Sequence, residues 1–332
     1  MSEKNQIRPL LEVKNLSVQF KTEEGDAEAL DKVSFDIYPG QTVGVVGESG
    51  CGKSVTAYSI MRLLPRPMGM ISNGSILFQG KNLLDLRTEE MQKVRGNEIG
   101  MIFQEPMNAL NPVQKIGNQL SEVFHLHMQI EDHQAWLRSI EMLDAVGIPS
   151  PENRMHEYPH QLSGGMRQRV VIAMALACKP KMIIADEPTT ALDVTVQAQI
   201  LDLLNNLQKQ TGCAILLITH DLGVIAENCD EVCVMYAGRV VERGTTNKIF
   251  SSPQHAYTQD LIDSIPKLDG DSKTKLKTIE GIVPGLLDLN EGCRYGPRSE
   301  RVHTQEQLSI RPEFHEVSNG HWVEACPICT DA

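Results

Sequence analysis

The sequence holds 332 residues with 41% apolar content, enough for an ordinary globular core in one large domain or two. Its formal charge of −12 excludes broad electrostatic attraction to nucleic acid or anionic lipid as the driver of its function. No apolar stretch approaches the ~20 residues that cross a bilayer; the run Val170 to Cys178 falls well short and reads as buried helix.

The chain starts polar, Met1-Ser2-Glu3-Lys4-Asn5-Gln6, without the apolar segment of a secretory signal, so a cytoplasmic protein is expected. Leu11, Val13, Leu16, Val18 and Phe20 predict a near-alternating strand, and Val33 to Ile37 a second. Thr42 to Val46 reads as a short buried strand that runs into a glycine-rich loop. A helical pattern follows from Ser54 through Ala57, Ile60, Met61 and Leu64 until Pro65 stops it. Ile76-Leu77-Phe78 and Met101-Ile102-Phe103 predict further short strands. Residues 114–180 change character: Ile116, Leu120, Val123 and Phe124, then Leu137, Ile140, Leu143 and Val146, recur at helical spacing and predict an inserted helical subdomain. Strands return at Met182 to Ala185, Ala214 to Ile218 and Val232 to Met235, with helices near 194–209 and 221–227 between them. Strands alternating with helices predict an α/β fold with a mostly parallel sheet covered on both faces. Beyond about residue 245 the pattern weakens; Asp269 to Lys277 reads as a linker, and the tail as irregular.

Gly47-Glu48-Ser49-Gly50-Cys51-Gly52-Lys53-Ser54 fits the phosphate loop G-x-x-x-x-G-K-[ST] without a gap. Its glycines let backbone N–H groups curl round the phosphates of a nucleotide, and the helix that opens there, with Val55 in its first turn, favours an anion further. Lys53 can then reach the terminal phosphates and the Ser54 hydroxyl can bind Mg²⁺. The apolar strand Met182 to Ala185 ends in Asp186 and Glu187. Asp186 is placed to hold the shell of the ion and Glu187 to polarise an attacking water, the two roles phosphoryl transfer requires.

Leu162-Ser163-Gly164-Gly165-Met166-Arg167-Gln168-Arg169 resembles the signature motif of the ATP-binding-cassette superfamily, which lies ahead of the acidic strand as it does here. Ser163 and the two glycines would start a helix whose N–H groups face an anion. Other elements that resemble the family follow in order: Gln104 after its strand, Ala191-Leu192-Asp193 as the loop at the dimer interface, His220 at the end of Ile215 to Thr219, and Phe20 as the aromatic against adenine.

The resemblance runs on to the peptide and nickel importers, in particular dipeptide- and oligopeptide-type ATPase subunits. It is carried by Met101-Ile102-Phe103-Gln104-Glu105-Pro106-Met107-Asn108-Ala109-Leu110-Asn111-Pro112, Tyr158-Pro159-His160-Gln161, His255-Ala256-Tyr257-Thr258-Gln259 and Gly281-Ile282-Val283-Pro284-Gly285. It implies a phosphate-loop ATPase core with an antiparallel β subdomain, over residues 1–250, and a short irregular C-terminal extension over 251–332. It implies ATP and Mg²⁺, with Ser54, Gln104 and Asp186 around the ion, and Glu187, His220 and Gln104 as catalytic groups. Gly47 to Val55 and Phe20 would hold one ATP, while Ser163, Gly164 and Gly165 serve the ATP of a partner, with Asp193 in the dimer loop. The implied partners are a second ATPase subunit, most simply a different chain, two transmembrane permease subunits and an extracytoplasmic solute-binding protein, with no nucleic acid. The implied place is the cytoplasmic face of the cell membrane, as a peripheral subunit. Peptides are the implied cargo, with nickel, glutathione or another small solute as alternatives, and a non-transport cassette in DNA repair as a distant one.

One feature departs from the branch, whose tails often carry four cysteines around an iron–sulfur cluster. Cys293 and Cys326 match, but Ser299 and Glu306 occupy the other two positions, so the usual cluster cannot be completed. Cys326-Pro327-Ile328-Cys329 is a C-x-x-C pair, which leaves open a zinc site with Cys293 and either His303 or His321, or simply free thiols.

Overall fold

The computed structural model describes residues 8–105, 109–190, 192–265 and 278–330. Ala191, Pro106-Met107-Asn108, the linker read at Asp269 to Lys277 and the polar start at Met1 to Gln6 lie outside the described residues. The chain divides into two compact units, one made of residues up to Ile37, Thr42–Leu84 and Thr219 onward, the other of Tyr38–Gln41 and Asp85–Ile218. No helix among the described residues is long and apolar enough to cross a membrane.

The first unit contains an antiparallel sheet in the order Gly25–Ile37, Leu11–Thr22, Gly69–Phe78, Lys81–Asn82. Leu11 and Val13 are buried, opposite Ile37 and Phe35 on one side and Phe78 and Ile76 on the other. The three-residue step from Val13 to Leu16 in the apolar pattern is a bulge: the register shifts there, and Asn15 turns into the left-handed region at φ 47°. The extra residue restores the phase, so Leu16 and Val18 bury on the face that Leu11 and Val13 began.

The same unit holds Thr42–Val46, parallel to Glu231–Tyr236, which pairs antiparallel with Arg239–Thr245. His321–Glu324 adds to that strand and Phe314–Ser318 closes the edge as a hairpin, so the tail carries more regular structure than its weak periodicity suggests. The reason is visible in Arg239–Thr245, whose inward positions include the charged Arg239 (3% exposed) and Glu242 (0%). Glu242 accepts from the backbone N–H groups of Gln254 and His255 and pairs with His321, while Arg239 pairs with Asp31 and Glu324. Buried charges satisfied from distant segments leave no apolar alternation to read.

The second unit is built on three parallel strands, Ile99–Ile102, Met182–Asp186 and Ala214–Ile218, each buried along its whole length. The segment read as a helical subdomain at 114–180 contains the helices Ile116–Met128, Asp132–Ala145 and Gly164–Leu176. Ile116, Leu120 and Phe124 bury one face of the first as expected. The second helix follows the predicted stripe at Leu143 and Val146, which are buried, and at Ile140, which is half-buried, but Leu137 is 42% exposed and Ala135 and Ser139 complete the buried face. These small residues allow a close helix pair, closed by a hydrogen bond of 3.1 Å between the Ser121 and Ser139 hydroxyls.

Candidate nucleotide site

The phosphate loop lies between the fully buried strand Thr42–Val46 and the helix Lys53–Ile60, the context its mechanism needs. At Gly47 a Cβ would stand 2.1 Å from the Met235 carbonyl oxygen, so no other residue lets the loop pass this close to the neighbouring strand. Gly52, at φ 104°, caps the helix in a conformation that L side chains rarely adopt. Lys53 is buried, and its ammonium donates to the carbonyl oxygens of Gly47 (2.8 Å) and Glu48 (3.0 Å), bracing the loop from inside. Ser54 and Val55 are half-buried in the first turn, and Ser49 and Gly50 are exposed at the crest. Cys51 is buried, and burial pushes its thiol up, which makes it packing rather than a nucleophile.

Glu48 reaches away from the loop. Its carboxylate accepts from Arg298 at 2.7 and 3.3 Å, and its amide donates to the Tyr257 hydroxyl at 3.0 Å. Nothing local in the sequence links positions 48, 257 and 298, so Arg298 and Tyr257 are not legible there as partners of the loop. His220 stands exposed between Thr219, whose amide donates to the Val45 carbonyl, and Asp221, whose carboxylate caps the helix Leu222–Asn228 through the amides of Gly223 and Val224. Phe20 lies on the antiparallel sheet, half-buried and opposite Ala27 and Gly69.

In the second unit, Asp186 ends the strand Met182–Asp186 fully buried. Glu187 follows in the left-handed region at φ 47°, with its amide donating to the Ile218 carbonyl at 2.8 Å. That turn aims the side chain at two donors: the Gln104 amide at 3.0 Å and the Thr190 hydroxyl at 2.9 Å share one carboxylate oxygen. The structure thus brings Gln104 and Glu187 together, and adds Thr190.

Ser163 caps the signature helix Gly164–Leu176, accepting from the Met166 amide at 3.3 Å, as its position predicts. At Gly165 a Cβ would press to 2.9 Å on Val196, so the small residue lets this helix approach Val194–Thr211, which Asp193 caps through the Val196 amide at 2.9 Å. Gln168, within the signature motif, is buried and donates to the Pro188 carbonyl at 2.6 Å. It ties the signature helix to the turn that carries Glu187, a link that spacing alone does not reveal.

Residues 30–190 match the family described as ABC transporter, and residues 241–305 match the oligopeptide/dipeptide transporter C-terminal region. The oligopeptide transport ATP-binding protein OppD of Bacillus subtilis is 50% identical over 323 residues, covering 97% of this chain and 90% of that protein. OppD of Haemophilus influenzae is likewise 50% identical over 323 residues, covering 96% of this chain and 98% of its own length. Among solved structures, the dimeric post-hydrolysis state of the ATP-binding cassette MJ0796 bound to ADP and Pi superposes with a TM-score of 0.64 at 28% identity, over 71% of this chain and 98% of that one. A chain with this phosphate loop, acidic strand and signature helix, matched over nearly its full length, belongs to the ABC transporter family, as an ATPase that carries the oligopeptide/dipeptide transporter C-terminal region.

Proposed function

We propose that the chain is the ATP-hydrolysing subunit of an importer of di- and oligopeptides, attached peripherally to the cytoplasmic face of the cell membrane. The observation that supports this best is the likeness to OppD over 97% of the chain, extension included. Residues 1–250 serve as the nucleotide-binding part, with the helical subdomain at about 114–180, and 251–332 as the extension. Its partners are a second, different ATPase subunit, two permease subunits and an extracytoplasmic peptide-binding protein.

Gly47 to Val55 hold the phosphates of ATP and Phe20 packs on its base. The Ser54 hydroxyl, Asp186 carboxylate and Gln104 amide oxygen are hard donors of the kind Mg²⁺ takes; they would hold the ion, which would neutralise charge on the phosphates. Glu187, steadied by Gln104 and Thr190, orients and deprotonates the attacking water, and His220 donates to the terminal phosphate. Ser163, Gly164 and Gly165 offer the start of the signature helix to the nucleotide of the partner, and Asp193 lies at that interface. ATP then holds two subunits closed and hydrolysis releases them, the two-state change that drives the permease.

Uptake of labelled tripeptides and pentapeptides by the source cells tests the cargo. Deleting the gene for this chain is expected to abolish uptake, and the native chain, but not Lys53→Ala, to restore it. Undiminished peptide uptake in the deletion strain would remove peptides as the cargo.

A further inference from the structure

The extension brings together four metal-binding side chains, none of them among the residues assigned to the nucleotide. The Sγ atoms of Cys293, Cys326 and Cys329 and a ring nitrogen of His303 all lie within 4.8 Å of one another. Cys293 and Cys329 sulfurs are 3.7 Å apart, and the His303 Nε2 stands 3.3 Å from the Cys326 sulfur and 3.2 Å from that of Cys329. Sulfur and nitrogen ligands of one tetrahedral ion, at bonds of about 2.3 and 2.0 Å, stand about 3.5 to 3.8 Å from each other. The observed spacings are close to that figure. They are far too long for a disulfide, whose sulfurs are about 2.05 Å apart.

The surroundings orient the donors. His303 Nδ1 is 2.8 Å from the Arg301 carbonyl oxygen. A carbonyl only accepts, so Nδ1 carries the proton and Nε2 presents its lone pair to the sulfurs, the arrangement that fixes a ligating histidine. The Cys329 amide donates to the Cys326 sulfur at 3.4 Å within the C-x-x-C turn. That turn is pinned by Arg301, which donates to the Ile328 carbonyl, and by the Ala256 amide, which donates to that of Cys329. Opposite it, the amides of Gly292 and Cys293 donate to Leu308 and Gln307. All three cysteines are at most 1% exposed. At Gly296 a Cβ would crowd the His303 ring at 3.1 Å, so the glycine leaves room for the imidazole. His321, the other candidate, is committed to Glu242 at 2.8 Å.

An iron–sulfur cluster does not fit this set. Ser299 and Glu306 replace two of the thiolates, and each ligand of a cubane binds a different iron, which requires wider spacing than the ligands of one ion. We infer that Cys293, His303, Cys326 and Cys329 form a mononuclear zinc site that closes the C-terminal extension. Three thiolates and one imidazole filling a closed tetrahedron are a structural zinc set, with no open position for chemistry.

The test uses the full chain purified from cells grown with added zinc. Elemental analysis is expected to give one zinc per chain, released to a chromogenic chelator only when the thiols are blocked. Cobalt in its place is expected to show the visible and sulfur-to-metal bands of a tetrahedral three-thiolate site. Cys329→Ser should lose most of the metal, while Cys213→Ser, a buried cysteine elsewhere, should keep it. Iron with acid-labile sulfide, zinc content unchanged in Cys329→Ser, or no metal above background in the native chain would each overturn the assignment.

Discussion

Glu187 adopts a left-handed backbone, which costs a non-glycine residue about 1–2 kcal/mol. The turn is held by the Ile218 carbonyl on its amide, and it places the carboxylate under the Gln104 amide and Thr190 hydroxyl. Two donors on one oxygen hold the side chain still, which suits the water-orienting role proposed for it. Glu187→Gln keeps the shape and an acceptor but removes the negative charge. With the partner subunits present, phosphate release is expected to fall by roughly 10²- to 10⁴-fold. ATP affinity should change little, and the closed dimer should accumulate because its release step is lost. Phosphate-release assays and sizing of the ATP-bound variant read both effects; hydrolysis at the native rate would exclude Glu187 as the base.

Among elements, the phosphate loop and the extension are joined by a contact that neither shows alone. Arg298 donates twice to the Glu48 carboxylate, once to the Gly281 carbonyl, and lies 5.7 Å from the centre of the Tyr236 ring. Glu48 lies within the loop proposed to receive anionic phosphates, so a guanidinium on its carboxylate lowers the repulsion. Arg298→Gln is expected to weaken binding of Mg·ATP about tenfold, or about 1.4 kcal/mol, and Glu48→Gln in the same chain to restore most of it. Calorimetric titration of both variants checks this, and an unchanged affinity in Arg298→Gln would reduce the pair to a tether. The loop itself, the acidic strand and the signature cap at Ser163 are legible in sequence, because each is set by local spacing. Arg298 is not legible, since its partner lies 250 positions away. For the same reason spacing leaves His303 and His321 equivalent, and only the contact of His321 with Glu242 distinguishes them. Leu137 misled because an apolar residue at helical spacing marks a face without saying whether a neighbour covers it.

At the scale of the whole chain, one buried carboxylate ties its two ends. Asp31, on the second strand, is paired with Arg239 at 2.8 Å, with Arg294 at 3.1 Å and with Arg311, whose partner position is 280 residues away. Glu324 joins through Arg239 and Glu28 through Arg294. Burial alone would raise the Asp31 carboxyl, but the guanidinium groups of Arg311 and Arg239 outweigh it and hold it below its ordinary value. The folded state therefore favours the ionised form. Its contribution is fully present above the unfolded value near pH 4 and is lost as pH falls through the lower folded value. Asp31→Asn leaves Arg239 and Arg294 short of a counter-charge in a buried setting, which costs about 3 kcal/mol or more at neutral pH. In the acid range the native chain loses the same interaction by protonation, so the gap between the two proteins should narrow below about pH 4. Denaturant unfolding of both at neutral pH and at stepwise lower pH measures that gap directly. A gap that stays constant down to the acid limit would mean that Asp31 holds the extension by hydrogen bonding and shape, with its charge contributing nothing.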